Sequence, residues 1–106
     1  MIDEKRYEEI IASIVGVATF KVSGVASLSG APETEDGGKT KRSDSVVVMI
    51  DQDSVKIDVC VNAFSGVSVP DLAYELQKVV AFEVEKATKF KVKAVNVYVN
   101  GIVFNQ

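Results

Sequence analysis

Between residues 55 and 64, apolar and polar side chains alternate without a break. Val55, Ile57, Val59, Val61 and Ala63 fall on one side; Lys56, Asp58, Cys60, Asn62 and Phe64 fall on the other. Successive side chains of an extended chain point to opposite faces, so this stretch is a strand that buries one face only. Residues 95–99 show the same signature, with Val95, Val97 and Val99 on one side and Asn96 and Tyr98 on the other. Strands of this kind need a covering layer on one side of their sheet and tolerate water on the other. The pattern therefore points to a two-layer α+β sandwich.

Two amphipathic stretches can supply that layer. In residues 3–18, Tyr7, Ile11, Ile14 and Ala18 recur at helical spacing, flanked by Ile10 and Val17, with Asp3 as a cap and Glu4 in the first turn. The second helix starts at Ser68-Val-Pro-Asp. The Ser68 hydroxyl can accept a first-turn N–H, Pro70 suits a turn whose amides lack helical partners, and Asp71 stands where a capping-box carboxylate sits. Its apolar face is Val69, Leu72, Ala73, Leu76, Val79, Val80, Val84 and Ala87.

Three further stretches complete the chain. Residues 20–28 read as a connector anchored by Val22, Val25 and Leu28. Residues 29–43 are nearly devoid of apolar side chains and carry Pro32 and Gly37-Gly38, which predicts a mobile loop. Gly-Gly-Lys-Thr within it lacks the earlier glycine and the following helix of a phosphate loop. Residues 46–51 form a strand joined to residues 55–64 through a turn at Gln52-Asp53. Asn100-Gly101 is a strong hairpin signal and predicts a short return strand over residues 102–104. The order is αββαβ with this short fourth strand, giving a three- to four-stranded mixed sheet with two helices mainly on one face. The 46–51 strand, apolar on both sides, is the expected centre, for a sheet order of 46–51 between 55–64 and 95–99.

Composition narrows the function classes. With 106 residues the chain is read as a single domain, residues 1–106. One cysteine allows no internal disulfide, and the absence of histidine removes the commonest general base and metal ligand. Cys60 has no histidine to activate it, so catalysis is not expected, nor is a metal or cofactor. The net charge of −3 does not favour a nucleic acid partner. Lys86, Lys89, Lys91 and Lys93 form a local basic patch, which sustains a small nucleic-acid-binding α/β module as the alternative, but no Gly-x-x-Gly loop accompanies it. The longest near-apolar run, residues 10–20, is too short to insert into a bilayer.

An ordered series of short motifs carries a family resemblance. It comprises Val22-Ser-Gly-Val25, Val55-Lys-Ile-Asp-Val-Cys-Val61, Phe64-Ser-Gly66-Val-Ser-Val-Pro70, Leu76-Gln77, Val80, Val84, Thr88, Val95-Asn-Val-Tyr-Val-Asn-Gly101 and Phe104. Through these the chain resembles the alkaline shock protein family, small proteins found mainly in Gram-positive bacteria. Phe64 stands where that family usually shows Tyr, and Tyr74 where Trp is frequent. The resemblance implies a cytoplasmic, non-catalytic protein of the envelope stress response. It also implies self-association, or gathering near the membrane through a separate membrane-anchored protein.

If both helices cover one side of the sheet, the other side is the expected interaction face. It would carry Lys56, Asp58, Cys60, Asn62, Phe64, Asn96 and Tyr98, and the 46–51 strand adds either Val47 and Met49 or Val46, Val48 and Ile50. Met49 is taken as its representative. The competing arrangement has the first helix cross over and bury this side.

Overall fold

The computed structural model describes residues 4–29 and 45–104. In chain order the elements are α1 (Glu4–Thr19), β1 (Val25–Leu28), β2 (Val46–Asp51), β3 (Ser54–Phe64), α2 (Val69–Ala87) and β4 (Lys91–Val103). Apart from Ser29, the loop expected to be mobile lies outside the described residues.

The alternating strand β3 is the centre of a mixed four-stranded sheet. β4 runs parallel along one edge of it, from Lys91 beside Ser54 to Val103 beside Phe64. β2 and β1 share the other edge end to end, both antiparallel, with β2 against residues 54–59 and β1 against residues 61–63. Both helices pack on one face, which makes the molecule a two-layer α+β sandwich. The core is one cluster. Val55, Ile57, Val59 and Val61 of β3 are at most 1% exposed, and they meet Ile11 and Val15 of α1 and Leu76, Val80 and Val84 of α2.

Several details depart from the sequence reading. The central strand is β3, not the 46–51 strand. β2 is an edge strand: Val46, Val48 and Ile50 oppose Val59, Ile57 and Val55 and join the core, while Val47 and Met49 are each 43% exposed. Its apolar outer side reflects an uncovered surface rather than a second core. The connector contains β1, which uses the last turn of the β3 ladder that β2 does not reach.

Asn100-Gly101 does not turn the chain. β4 continues through it, and the register passes from Val99 beside Val61 to Gly101 beside Asn62, leaving Asn100 as a bulge. A hairpin here would strip residues 62–64 of β3 of backbone partners on that edge, so the ladder outcompetes the turn. Gly101 suits the close approach, since a Cβ there would lie 2.9 Å from the Asn62 Oδ1. A second bulge falls between Val92 and Ala94.

The helix faces are rotated slightly from expectation. In α1, Val15 and Thr19 are fully buried, whereas Tyr7, Ile10 and Val17 are exposed. Thr19 satisfies its hydroxyl on the Val15 carbonyl at 2.8 Å. Tyr7 stacks edge-on against Phe90, with ring centroids 5.4 Å apart, which ties the start of α1 to the entry of β4. In α2, Ser68 is the N-cap and accepts from the Asp71 N–H, while Val69 and Ala87 lie outside the buried stripe of Leu72, Leu76, Val80 and Val84. Lys21 beyond α1 meets Glu83 of α2 at 3.1 Å and holds its carboxyl below the usual carboxylate range.

Leu76 is the largest fully buried side chain of α2. Leu76→Ala is expected to destabilise the fold by about 2–5 kcal/mol, as buried leucine truncations do. Urea denaturation of both proteins measures this, and a loss under about 0.5 kcal/mol, typical of surface changes, would contradict the placement.

Candidate interaction face

The face of the sheet opposite the helices carries every residue singled out in advance. Lys56, Asp58, Cys60, Asn62 and Phe64 point there from β3 because Val55 to Ala63 take the core side. The register sets Met49 beside Lys56, Val47 beside Asp58, Asn96 beside Asp58 and Tyr98 beside Cys60. Side chains directly paired across strands share a face, so the two alternatives for β2 resolve to Val47 and Met49. None of the described helices lies over this side. Tyr98 is 48% exposed.

Polar bridges cross the face and stiffen it. Asn96 Nδ2 donates to Asp58 Oδ1 at 2.9 Å. Asn62 Nδ2 donates to Ser27 Oγ of β1 at 3.0 Å. Asn100, displaced by its bulge, donates to Ser29 Oγ at 3.1 Å. These bonds hold the polar groups in place between the apolar side chains Val47, Met49, Phe64 and Tyr98. The result is a hydrogen-bonded surface of mixed polar and apolar chemistry, of the kind found in protein contacts.

Two residues of the face escaped the sequence reading. Val103 lies beside Phe64 and is 39% exposed. The assumed hairpin had assigned it to a separate strand. Lys93 reaches a shallow hollow with Met49, Asp51, Ser54 and Lys56. No alternation predicts that position, because Lys93 sits in a bulge. Of the remaining basic patch, Lys86 lies 3.5 Å from Glu83 and over the Phe82 ring.

Cys60 is half-buried at the centre of this face. Burial pushes its thiol up, the Asp58 carboxylate adds to that, and a hydrogen bond from Asn100 works against it. A raised thiol is mostly protonated at neutral pH and is a poor nucleophile. Among the described residues no group of three carboxylate or thiol side chains is placed to hold a metal ion. None of the described helices is long and apolar enough to cross a membrane.

Comparison with known proteins adds a family. The model of the alkaline shock protein 23 family, described as having a cell envelope-related function, matches residues 4–104. The uncharacterized protein YqhY of Bacillus subtilis is 34% identical over 101 residues, covering 92% of this chain and 74% of that protein. The uncharacterized protein Spy1535 of Streptococcus pyogenes is 33% identical over 95 residues, covering 89% of this chain and 74% of that protein. Among solved structures, MamM-CTD H285A superposes with a TM-score of 0.55 at 13% identity, over 88% of this chain and 95% of that one. At that identity the likeness is one of fold alone.

Iodoacetamide should alkylate Cys60 more slowly at neutral pH than a free cysteine, with a rate that climbs only once pH passes the ordinary thiol range. Asp58→Asn removes a charge that raises the thiol and should shift that rate profile to lower pH. An unchanged profile would place the control of this thiol elsewhere.

Proposed function

The chain belongs to the alkaline shock protein 23 family, whose function is cell envelope-related, and from that premise we propose that it is a non-catalytic interaction protein of envelope homeostasis. It works in the cytoplasm and comes close to the membrane by docking its open sheet face on a membrane-anchored protein. Self-association of the chain belongs to the same reading. The observation that carries this reading is the uncovered face itself. Val47, Met49 and Tyr98 are between 43% and 48% exposed on one face of the sheet, interleaved with polar groups that are already hydrogen-bonded. Apolar and aromatic side chains gathered on one exposed surface mark contact sites.

Charge placement supports a protein partner. Lys56 and Lys93 stand at one end of the face near Met49, and Asp58 lies further along the same strand. Charges of both signs among apolar anchors give orientation and specificity to a protein contact.

Met49→Lys and Val47→Asp place charges on this face without touching the core. Both variants are expected to fold, with circular dichroism like wild type and melting temperatures within about 4 °C, the shift that corresponds to under ~1 kcal/mol in a domain of this size. Affinity capture from the native host, followed by mass spectrometry, should show a membrane-anchored protein retained by wild type and reduced at least tenfold in both variants. Equal retention would show that the partner binds elsewhere.

A further inference from the structure

The outer edge of β4 is protected along only part of its length. The Glu85 carboxylate of α2 accepts the Val92 N–H at 2.8 Å, and Gln77 Nε2 donates to the Val95 carbonyl at 3.1 Å. Side chains here take the place of a neighbouring strand, one of the ways in which proteins blunt an edge. Backbone groups alternate between the two edges of a strand, so Val97 and Val99 face outward as Val95 does. Past the Asn100 bulge the alternation switches. Ser65 donates to the Val103 carbonyl on the inner side, which leaves Ile102 facing outward. Among the described residues no side chain or strand caps Val97, Val99 or Ile102 on that edge.

The unprotected half of the edge is also where apolar exposure gathers. Tyr98 and Ile102 are each 48% exposed, Val103 39% and Phe104 75%. An open ladder and an apolar fringe at the same place fit an extended strand as the partner.

We propose that this edge pairs with the same edge of a second copy, antiparallel about a two-fold axis at Tyr98. The proposal rests on the reading that the chain self-associates, and it assigns that self-association to a different surface from the sheet face. Val97 and Val99 exchange their outward hydrogen bonds with Val99 and Val97 of the second copy, and the two Tyr98 rings meet across the axis. The register is self-complementary in charge. Lys91 and Lys93 of each copy fall opposite the apolar end of the other strand, around Val103 and Phe104, so no like charges meet. Backbone pairing is confined to residues 97–99 of each copy, and the Gln77 cap on Val95 marks its end, so neither the Glu85 nor the Gln77 bond has to break. A two-fold axis perpendicular to the sheet keeps both helical layers on one side and joins both open faces into one doubled surface on the other.

Sedimentation equilibrium and cross-linking test this on the full chain. Wild type should sediment as a dimer, and Val99→Pro, which removes an outward N–H that an edge strand can spare, should weaken dimerisation at least tenfold while keeping the wild-type circular dichroism. In a Cys60→Ser background, Tyr98→Cys should form a covalent dimer under mild oxidation, whereas Met49→Cys, two strands away, should not. A folded Val99→Pro that dimerises like wild type, or a dimer in which Tyr98→Cys does not cross-link, overturns the proposal. Should Val99→Pro fail to fold, the cross-linking comparison decides. A monomeric wild type also overturns it, and the docking reading then stands or falls separately on partner capture by Met49→Lys.

Discussion

The rest of the structure depends on β3 burying one face completely and the other hardly at all. Five alternate side chains, Val55 to Ala63, are at most 1% exposed. Removing that much apolar surface from water is the dominant favourable term in a domain of this size. It requires both helices on the same side, because each contributes part of the cover: Ile11 and Val15 from α1, Leu76, Val80 and Val84 from α2. Once both are committed there, neither is left to shield Lys56 through Phe64. The candidate interaction face is thus a consequence of how the core is closed.

The same strand organises the sheet edges. β3 offers hydrogen bonds on both sides, and its length sets what fills them. β4 matches it along one edge by absorbing two bulges, at Lys93 and Asn100. The other edge is divided between β2 and β1, which meet end to end. The bulges then shape the candidate face. They bring Lys93 towards Lys56 and aim Asn100 across Cys60 to Ser29. Bulges commonly redirect side chains at functional surfaces, and here they redirect a lysine and an asparagine onto an otherwise regular sheet.

The open face presents a surface of mixed chemistry. Burial and the Asp58 carboxylate both push the half-buried Cys60 thiol up. The asparagine and aspartate side chains around it bond to one another and to serines. Such internal satisfaction leaves Val47, Met49, Phe64 and Tyr98 as the apolar groups of this face that a contact would cover.

The sequence by itself determined the layer architecture, the cap at Ser68, the buried stripe of α2, the open-face residues of β3 and, on β4, Asn96 and Tyr98. All of these rest on periodicity, which is local: a period of two or of about 3.6 says which side chains share a face before any contact is formed. Only the tertiary structure decided which strand is central, that residues 25–28 pair at all, which side of β2 faces outward, and that Asn100-Gly101 stays in the strand. Each of these depends on backbone hydrogen bonds between segments far apart in the chain. Val47 and Met49 are as apolar as Val46 and Val48, and nothing local distinguishes them until β3 sets the register. An Asn-Gly pair favours a turn only when no neighbouring strand competes for the same backbone groups, and here residues 62–64 of β3 compete and win.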